Sequence, residues 1–278
     1  VLFAFNNIKV EFRGCTISSP QTVGIIASHK SQIRMIRSTL SNCGDSGIVI
    51  LDHAIITMDG CTLSSNKGDA IEIKTESQTN SIVGTTIENH EKGLAINCFG
   101  PGKLQVRGCT ITNCTAGIVA SNGFTIDAGE NNISNVTKSA LVCATNKSQV
   151  TLDKDTLTGN CLLAIISDSG STVKCSGVEI VDIETTGSSV TGNGTLTFTD
   201  CNFQRIQQCA IEAHDNATLE VTNCKFSEIE SIGILVQTNV RGFVKDTTIE
   251  TCDIVGCHFV ENTAPFRFEH VTFAENGG

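Results

Sequence analysis

The sequence contains no tryptophan and no tyrosine, and only three of its 278 residues are proline. Carbohydrate-binding grooves commonly use Trp and Tyr rings as stacking surfaces, so the absence of both counts against such a groove. No apolar run approaches the roughly 18 residues that a transmembrane helix needs, which predicts no membrane insertion. The net charge is −10, which disfavours nucleic acid and anionic membrane surfaces as partners.

The sequence does have a short repeat, which is clearest between Ile55 and Ile73. Apolar and polar residues alternate at 56–58, 61–63 and 71–73, with the period of half-buried strands. The breaks between these segments fall on Asp59-Gly60 and on Asn66-Lys67-Gly68-Asp69, which is turn chemistry. Each unit therefore predicts three short strands and no helix.

The apolar residue after Cys61-Thr62 serves as an anchor for finding the other copies. Twelve anchors recur at intervals of 22 to 24 residues, at Ile17, Leu40, Leu63, Ile87, Ile111, Ile133, Leu157, Ile180, Phe203, Phe226, Ile249 and Phe273. A fixed short period indicates one structural unit stacked on itself, with equivalent side chains facing inward in columns. At a strand spacing of about 4.8 Å, twelve units make a rod on the order of 58 Å long.

This pattern resembles the repeats of right-handed parallel β-helices of the pectin-lyase-like superfamily. The resemblance implies an all-β fold, a single right-handed parallel β-helix of about twelve coils with three short strands in each. Residues 1–278 are expected to form one β-helix domain. Because the chain begins with Val1 while Val10 and Phe12 already occupy repeat columns, we expect it to be a segment of a longer protein.

The fourteen cysteines are predicted to be reduced and mostly buried. Cys15, Cys61 and Cys109 lie two coils apart, about 9.6 Å by the strand spacing, beyond the reach of a disulfide. Cys201 and Cys224 stack directly, but parallel side chains make poor bridge geometry. No Cys-x-x-Cys spacing indicates a structural zinc site. Reduced thiols favour an intracellular setting, with a cell-surface or secreted protein as the alternative.

The charged coils near the C-terminal end hold the strongest candidate site. Asp182, Arg205 and Glu228 share one column on consecutive coils, about 5 Å apart. Paired carboxylates beside a basic group are suited to acid–base work on a sugar. The alternative is a solvated ladder of ion pairs, which is the commoner arrangement. A neighbouring column holds Glu179, Asn202 and Lys225.

Three histidines, His29, His53 and His214, fall in a polar turn. A metal site built from His29, His53 and Glu76 is conceivable. Polar turn residues are the commoner explanation, and we therefore predict no metal and no cofactor.

Motifs of the enzymes in this superfamily are incomplete in the sequence. Residues 68–74 resemble the polygalacturonase strand that carries two adjacent aspartates, but Asp69 stands alone. Residues 154–157 resemble the pectin methylesterase motif Gln-Asp-Thr-Leu without its Gln, and Asp155 occupies an ordinary repeat column. No calcium-binding acidic cluster with an arginine, as pectate lyases require, stands out.

The leading hypothesis is a non-catalytic scaffold or recognition module that presents a rigid polar surface to a protein partner or larger assembly. An extracellular adhesin or surface passenger domain is the alternative. A carbohydrate-active enzyme, either a polysaccharide lyase or a glycoside hydrolase, comes third, with Asp182, Arg205 and Glu228 as its candidate residues and polysaccharide as its substrate. The fold alone does not choose among these functions.

Overall fold

A computed structural model describes residues 1–277 as twelve successive coils of three strands each. The strands in chain order are β1 Leu2–Ala4, β2 Lys9–Arg13, β3 Thr16–Ser18, β4 Ile25–Ala27, β5 Gln32–Ile36, β6 Thr39–Ser41, β7 Ile48–Asp52, β8 Ile55–Asp59, β9 Thr62–Ser64, β10 Ile71–Thr75, β11 Asn80–Val83, β12 Thr86–His90, β13 Ile96–Phe99, β14 Lys103–Arg107, β15 Thr110–Cys114, β16 Ile118–Ser121, β17 Thr125–Gly129, β18 Asn132–Ser134, β19 Ala140–Ala144, β20 Gln149–Asp153, β21 Thr156–Gly159, β22 Leu163–Ser167, β23 Thr172–Ser176, β24 Glu179–Ile183, β25 Thr186–Val190, β26 Thr195–Thr199, β27 Asn202–Ile206, β28 Cys209–Ala213, β29 Thr218–Thr222, β30 Lys225–Ile229, β31 Ile232–Gln237, β32 Arg241–Lys245, β33 Thr248–Glu250, β34 Val255–Val260, β35 Phe266–Glu269 and β36 Thr272–Ala274. No helix that could cross a membrane occurs among these described residues.

The strands form three parallel sheets of twelve strands, each taking one strand from every coil. We call them sheet 1 (β1, β4 and so on to β34), sheet 2 (β2 to β35) and sheet 3 (β3 to β36). Equivalent residues pair directly between neighbouring coils, as Leu40 does with Leu63 in sheet 3. The predicted parallel β-helix of about twelve three-stranded coils is confirmed.

The anchors form one inward column along sheet 3 and lie at the centre of the core. All ten from Leu40 to Ile249 are fully buried. The two end members are more exposed. Ile17 is half-buried, and Phe273 in the last coil keeps 49% of its surface accessible. The stacked coils are therefore stabilised by burial of these apolar side chains against their equivalents in the neighbouring coils. Each Å² of buried apolar surface contributes about 25 cal/mol.

The corner between sheets 2 and 3 carries a ladder of polar caps. Ser38 Oγ accepts a hydrogen bond from the Cys15 amide at 3.1 Å, and Asn131 Oδ1 accepts one from the Cys109 amide at 2.8 Å. Asp155 Oδ1 in turn accepts the Asn131 amide at 2.9 Å. A buried backbone N–H needs a partner, so each cap secures the turn of the coil before it.

The cysteines are free thiols, and eleven of the fourteen are buried. Several stand in the same corner column as the caps. There the thiol donates to the carbonyl two residues earlier, as Cys109 Sγ does to Arg107 O at 3.4 Å. Burial raises the pKa of Cys109 to about 11 and that of Cys161 to about 12, so both thiols stay protonated at neutral pH.

Candidate functional site: the carboxylate groove

The side chains of the candidate site project from the end of sheet 3, two residues after each anchor. At this position the backbone turns towards sheet 1 with positive φ: 56° at Asp182, 54° at Arg205 and 56° at Glu228. Asn and Asp tolerate this conformation better than other side chains. In coils 2 to 6 the same column is accordingly Asn42, Ser65, Asn89, Asn113 and Asn135, and it becomes charged in coils 8 to 10.

The structure brings the predicted Asp182 and Arg205 together. Arg205 donates from Nε to Asp182 Oδ1 at 2.5 Å and from Nη2 to Asp182 Oδ2 at 3.0 Å. This fork geometry is the strong form of an arginine–carboxylate pair. The hydrogen bonds from Arg205 lower the pKa of Asp182, and those to Asp182 raise the pKa of Arg205. Asp182 is therefore ionised at neutral pH.

Glu228 lies on the next coil, where both its side chain and its backbone amide form hydrogen bonds to neighbouring coils. Its Oε1 accepts a hydrogen bond from Gln204 Nε2 at 2.9 Å, and its amide donates to Thr251 Oγ1 at 2.7 Å. The neighbouring column is likewise paired, because Asn202 Nδ2 donates to Glu179 Oε2 at 2.8 Å. These polar side chains thus form hydrogen bonds between neighbouring coils.

Together these residues line a groove of about 550 Å³ across coils 8 to 11. We call it the carboxylate groove; its lining is Asp182, Ile183, Glu184, Arg205, Gln207, Glu228, Ile229, Glu230, Thr251 and Asp253. Five carboxylates face a single guanidinium, which Asp182 already engages. The sequence columns found Asp182, Arg205 and Glu228. They missed Glu184, Glu230 and Asp253, because these lie in the turns beyond the strands.

The histidine turn forms separate pairs. His29 Nδ1 lies 3.6 Å from Asp52 Oδ2, and His53 Nδ1 lies 3.9 Å from Glu76 Oε2. Within residues 1–277 no group of three or more His, Cys, Asp or Glu side chains converges to hold a metal ion.

The same turn contains a serine, a histidine and an aspartate that sequence reasoning did not connect. Ser28 Oγ lies 2.5 Å from His29 Nδ1 and donates to Asp52 Oδ2 at 2.6 Å. The serine stands between the other two, whereas nucleophilic catalysis needs the histidine in that place. Ser28 is also 2% exposed, so its hydroxyl ties the turn of one coil to the next.

The two aspartates of the incomplete enzyme motifs are also structural. Asp69 Oδ1 accepts the Leu94 amide at 2.8 Å, and its Oδ2 accepts Asn97 Nδ2 at 2.7 Å. Asp155 is fully buried in the corner ladder.

The chain belongs to the right-handed β-helix family, whose model matches residues 2–133, 127–218 and 186–278. This agrees with the predicted handedness and is consistent with the pectin-lyase-like superfamily. A comparison with curated proteins gave no match.

Solved structures similar to this chain include two polysaccharide epimerases. The periplasmic alginate epimerase AlgG is 11% identical with a TM-score of 0.65, over 92% of this chain and 78% of that one. The A-module of the mannuronan C-5 epimerase AlgE6 from Azotobacter vinelandii is 9% identical with a TM-score of 0.65, over 98% of this chain and 90% of that one. At these identities the likeness shows the fold alone.

Proposed function

We propose that this chain is a non-catalytic recognition module that binds a basic segment of a protein partner in the carboxylate groove. The observation that carries the proposal is the charge of the groove, where five carboxylates face one arginine that is already paired. A cationic segment is the complement of such a surface, and charge complementarity supplies orientation and a fast association rate.

The rigidity of the groove supports recognition. Asp182, Arg205 and Glu228 leave consecutive strands of one sheet, and cross-coil hydrogen bonds fix their side chains. Side chains that are already ordered lose little conformational entropy on binding. A partner therefore meets a surface whose charges are in place before contact.

The protonation state of the ion pair supports binding rather than bond cleavage. Glycoside hydrolysis needs one carboxylic acid that keeps its proton near neutral pH, usually through a raised pKa. Arg205 lowers the pKa of Asp182, so Asp182 is a poor proton donor. Asp182 is therefore an anion at neutral pH and contributes to the negative charge of the groove.

A labelled Lys/Arg-rich peptide tests the proposal by fluorescence anisotropy. The triple variant Glu184→Gln/Glu230→Gln/Asp253→Asn should weaken binding roughly tenfold, since three exposed pairs at about 0.5 kcal/mol each give about 1.5 kcal/mol. A matched control, Asp59→Asn/Glu91→Gln/Glu130→Gln, removes the same charge from exposed positions in coils 3 to 6.

The control should stay within about twofold of the wild type, because it leaves the groove intact. Equal loss in both triple variants would mean that the peptide responds only to net charge. That result, or no binding by the wild type, would overturn the proposal.

The oxidation state of the cysteines tests whether the protein is intracellular or extracellular. A free-thiol count on denatured native-source protein near fourteen would support an intracellular recognition module. Mostly oxidised cysteines would instead favour the cell-surface or secreted adhesin.

A polysaccharide-active enzyme is the second candidate. The observation that favours it is the fold that the chain shares with two polysaccharide epimerases, together with paired carboxylates and an arginine in one groove. This reading requires turnover of a uronate polymer that depends on Asp182 or Glu228.

A further inference from the structure

The charges of the carboxylate groove are ordered in two columns along the rod. Ile183, Ile206 and Ile229 stack on consecutive coils and are fully buried, and Ile229 bridges to Cys252. The residues on either side of this buried row form the two columns. The first column is Asp182, Arg205, Glu228 and Thr251, and the second is Glu184, Gln207, Glu230 and Asp253. Coils 8 and 10 thus place a carboxylate in both columns, and coil 9 between them places one in neither.

The second column keeps its register in the turn that follows sheet 3. The Gln207 amide donates to Ile183 O at 3.0 Å, and the Glu230 amide donates to Ile206 O at 2.9 Å. Neighbouring coils lie about 4.8 Å apart, so Glu184 and Glu230 are separated by about 9.6 Å along the rod. The groove therefore presents negative charge with a repeat of two coils, and the fifth carboxylate, Asp253, follows one coil further on.

The two columns differ in how their charges are compensated. In the first column Arg205 donates to Asp182 Oδ2 at 3.0 Å, and Gln204 donates to Glu228 Oε1 at 2.9 Å. In the second column Glu184 and Glu230 are exposed, and their carboxylates have no such partner within residues 1–277. A bound cation can therefore pair with the second column without displacing an existing contact.

A repeat of about 9.6 Å distinguishes the regular conformations of a peptide that lies along the rod. In a β-strand the side chains on one face are i and i+2, about 6.7 Å apart. In an α-helix they recur at i+3 and i+4, about 5 to 6 Å along the axis, and reach about 10.5 Å only at i+7. A polyproline II helix has three residues per turn and a rise of about 3.1 Å, so i and i+3 lie on one face about 9.3 Å apart. Its first repeat matches the groove.

We propose that the basic segment lies along the rod in a polyproline II conformation, with Lys or Arg at positions i and i+3 paired to Glu184 and Glu230. This binding mode rests on the proposed function and specifies which basic segments the groove selects. The two residues between the cations point away from the groove, so Arg205 meets no second positive charge on coil 9. A polyproline II segment is also extended before it binds, which lowers the entropy lost on binding.

Two labelled peptides of identical composition test the spacing by fluorescence anisotropy. Both have blocked termini; Pro-Lys-Pro-Pro-Lys-Pro carries its cations at i and i+3, and Pro-Pro-Lys-Lys-Pro-Pro carries them at i and i+1. The wild type should bind the first peptide roughly threefold more tightly, because only that peptide forms both ion pairs at once and one exposed pair contributes about this factor. An Ala-rich helical peptide with Lys at i and i+7 should bind more weakly than the first peptide.

A variant that moves one carboxylate by a single coil tests the assigned residues. Glu184→Gln/Gln207→Glu keeps the net charge and sets the carboxylates of the second column on adjacent coils, so the preference between the two Pro-rich peptides should disappear. The matched control, Glu184→Asp, keeps a carboxylate on coil 8 and should keep the preference. Both positions are exposed, so circular dichroism should show folded protein throughout.

The outcomes separate the binding mode from the proposed function. Equal affinity of the wild type for both Pro-rich peptides, or tighter binding of the helical peptide, would overturn the polyproline II spacing and leave the groove as a site for basic segments. A preference that survives in Glu184→Gln/Gln207→Glu would overturn the pairing with Glu184 and Glu230. No binding of any peptide would overturn the proposed function itself, and the binding mode with it.

Discussion

Asp155 carries a fully buried carboxyl group in coil 7, and we predict that this group makes the stability of the fold depend on pH. Its Oδ1 accepts hydrogen bonds from the Asn131 amide at 2.9 Å and from Asn131 Nδ2 at 2.7 Å, and its Oδ2 accepts the Asp153 amide at 2.9 Å. These bonds favour the carboxylate, but burial opposes it more strongly. The pKa of Asp155 is raised from 3.8 to about 6.

A raised carboxyl pKa means that the folded chain holds this proton more tightly than the unfolded chain does. Between about pH 4 and pH 6 the unfolded state therefore binds fewer protons, and the free energy of unfolding falls as pH rises. Above about pH 6 the penalty is complete and constant. Raising the pKa from 3.8 to about 6 makes this loss of unfolding free energy on the order of 3 kcal/mol.

Asp155→Asn removes this titration. In the variant an NH2 group replaces Oδ2 and cannot accept the hydrogen bond from the Asp153 amide. The loss of this bond costs about 1 to 3 kcal/mol at every pH. The titration of this carboxyl group alone determines how the difference in unfolding free energy, variant minus wild type, changes with pH. We expect this difference to increase by about 3 kcal/mol between about pH 3.5 and pH 7.

Urea unfolding at a series of pH values, followed by circular dichroism because the chain has no Trp or Tyr, measures this difference. Asp182→Asn is the control, since the pKa of Asp182 is lowered. The stability that Asp182 contributes is present above its unfolded pKa and is lost as pH falls through its folded value, so the control difference has the opposite slope. A flat or falling difference for Asp155→Asn would refute the reasoning.

Three further predictions concern packing and the ion pair. Ile111→Asp buries an unpaired charge in the anchor column and should abolish the folded circular dichroism signal, whereas Ile111→Val should cost only about 0.5 to 1.5 kcal/mol; equal stability of the aspartate variant would contradict the register. Gly93→Ala should destabilise by about 1 to 3 kcal/mol in urea unfolding, because its Cβ would lie 1.9 Å from the Gly68 carbonyl oxygen, and wild-type stability would show that the close approach relaxes freely. Arg205→Ala should leave the free energy of unfolding nearly unchanged, because the pair is exposed to solvent, while the pKa of Asp182 rises towards its ordinary value in an NMR titration. An unmoved carboxyl resonance would exclude the ion pair in solution.

The repeat was enough to predict the fold from the sequence. Side chains stack on their own equivalents, so every coil repeats the evidence for the register, and the twelve anchors were placed correctly. The same logic brought Asp182, Arg205 and Glu228 onto one column. Strand residues were predictable because the period-2 pattern fixes which side chains face inward.

Other features depend on contacts between turns, which the column pattern does not encode. Asp155 looked like an ordinary column member, yet its burial and its role as a cap follow from the amides of neighbouring coils. Glu230 and Asp253 line the groove through turn conformations that the strand pattern leaves open. The contact of Ser28 with Asp52 joins residues 24 positions apart.

We propose that the carboxylate groove serves recognition and not catalysis. Incubation of the chain with mannuronan, alginate and polygalacturonate, followed by proton NMR over days, tests it most directly. We predict unchanged polymer spectra for the wild type and for Asp182→Asn/Glu228→Gln alike. New chain ends or residues inverted at C5 with the wild type, lost in the double variant, would contradict the claim and identify the groove as an active site.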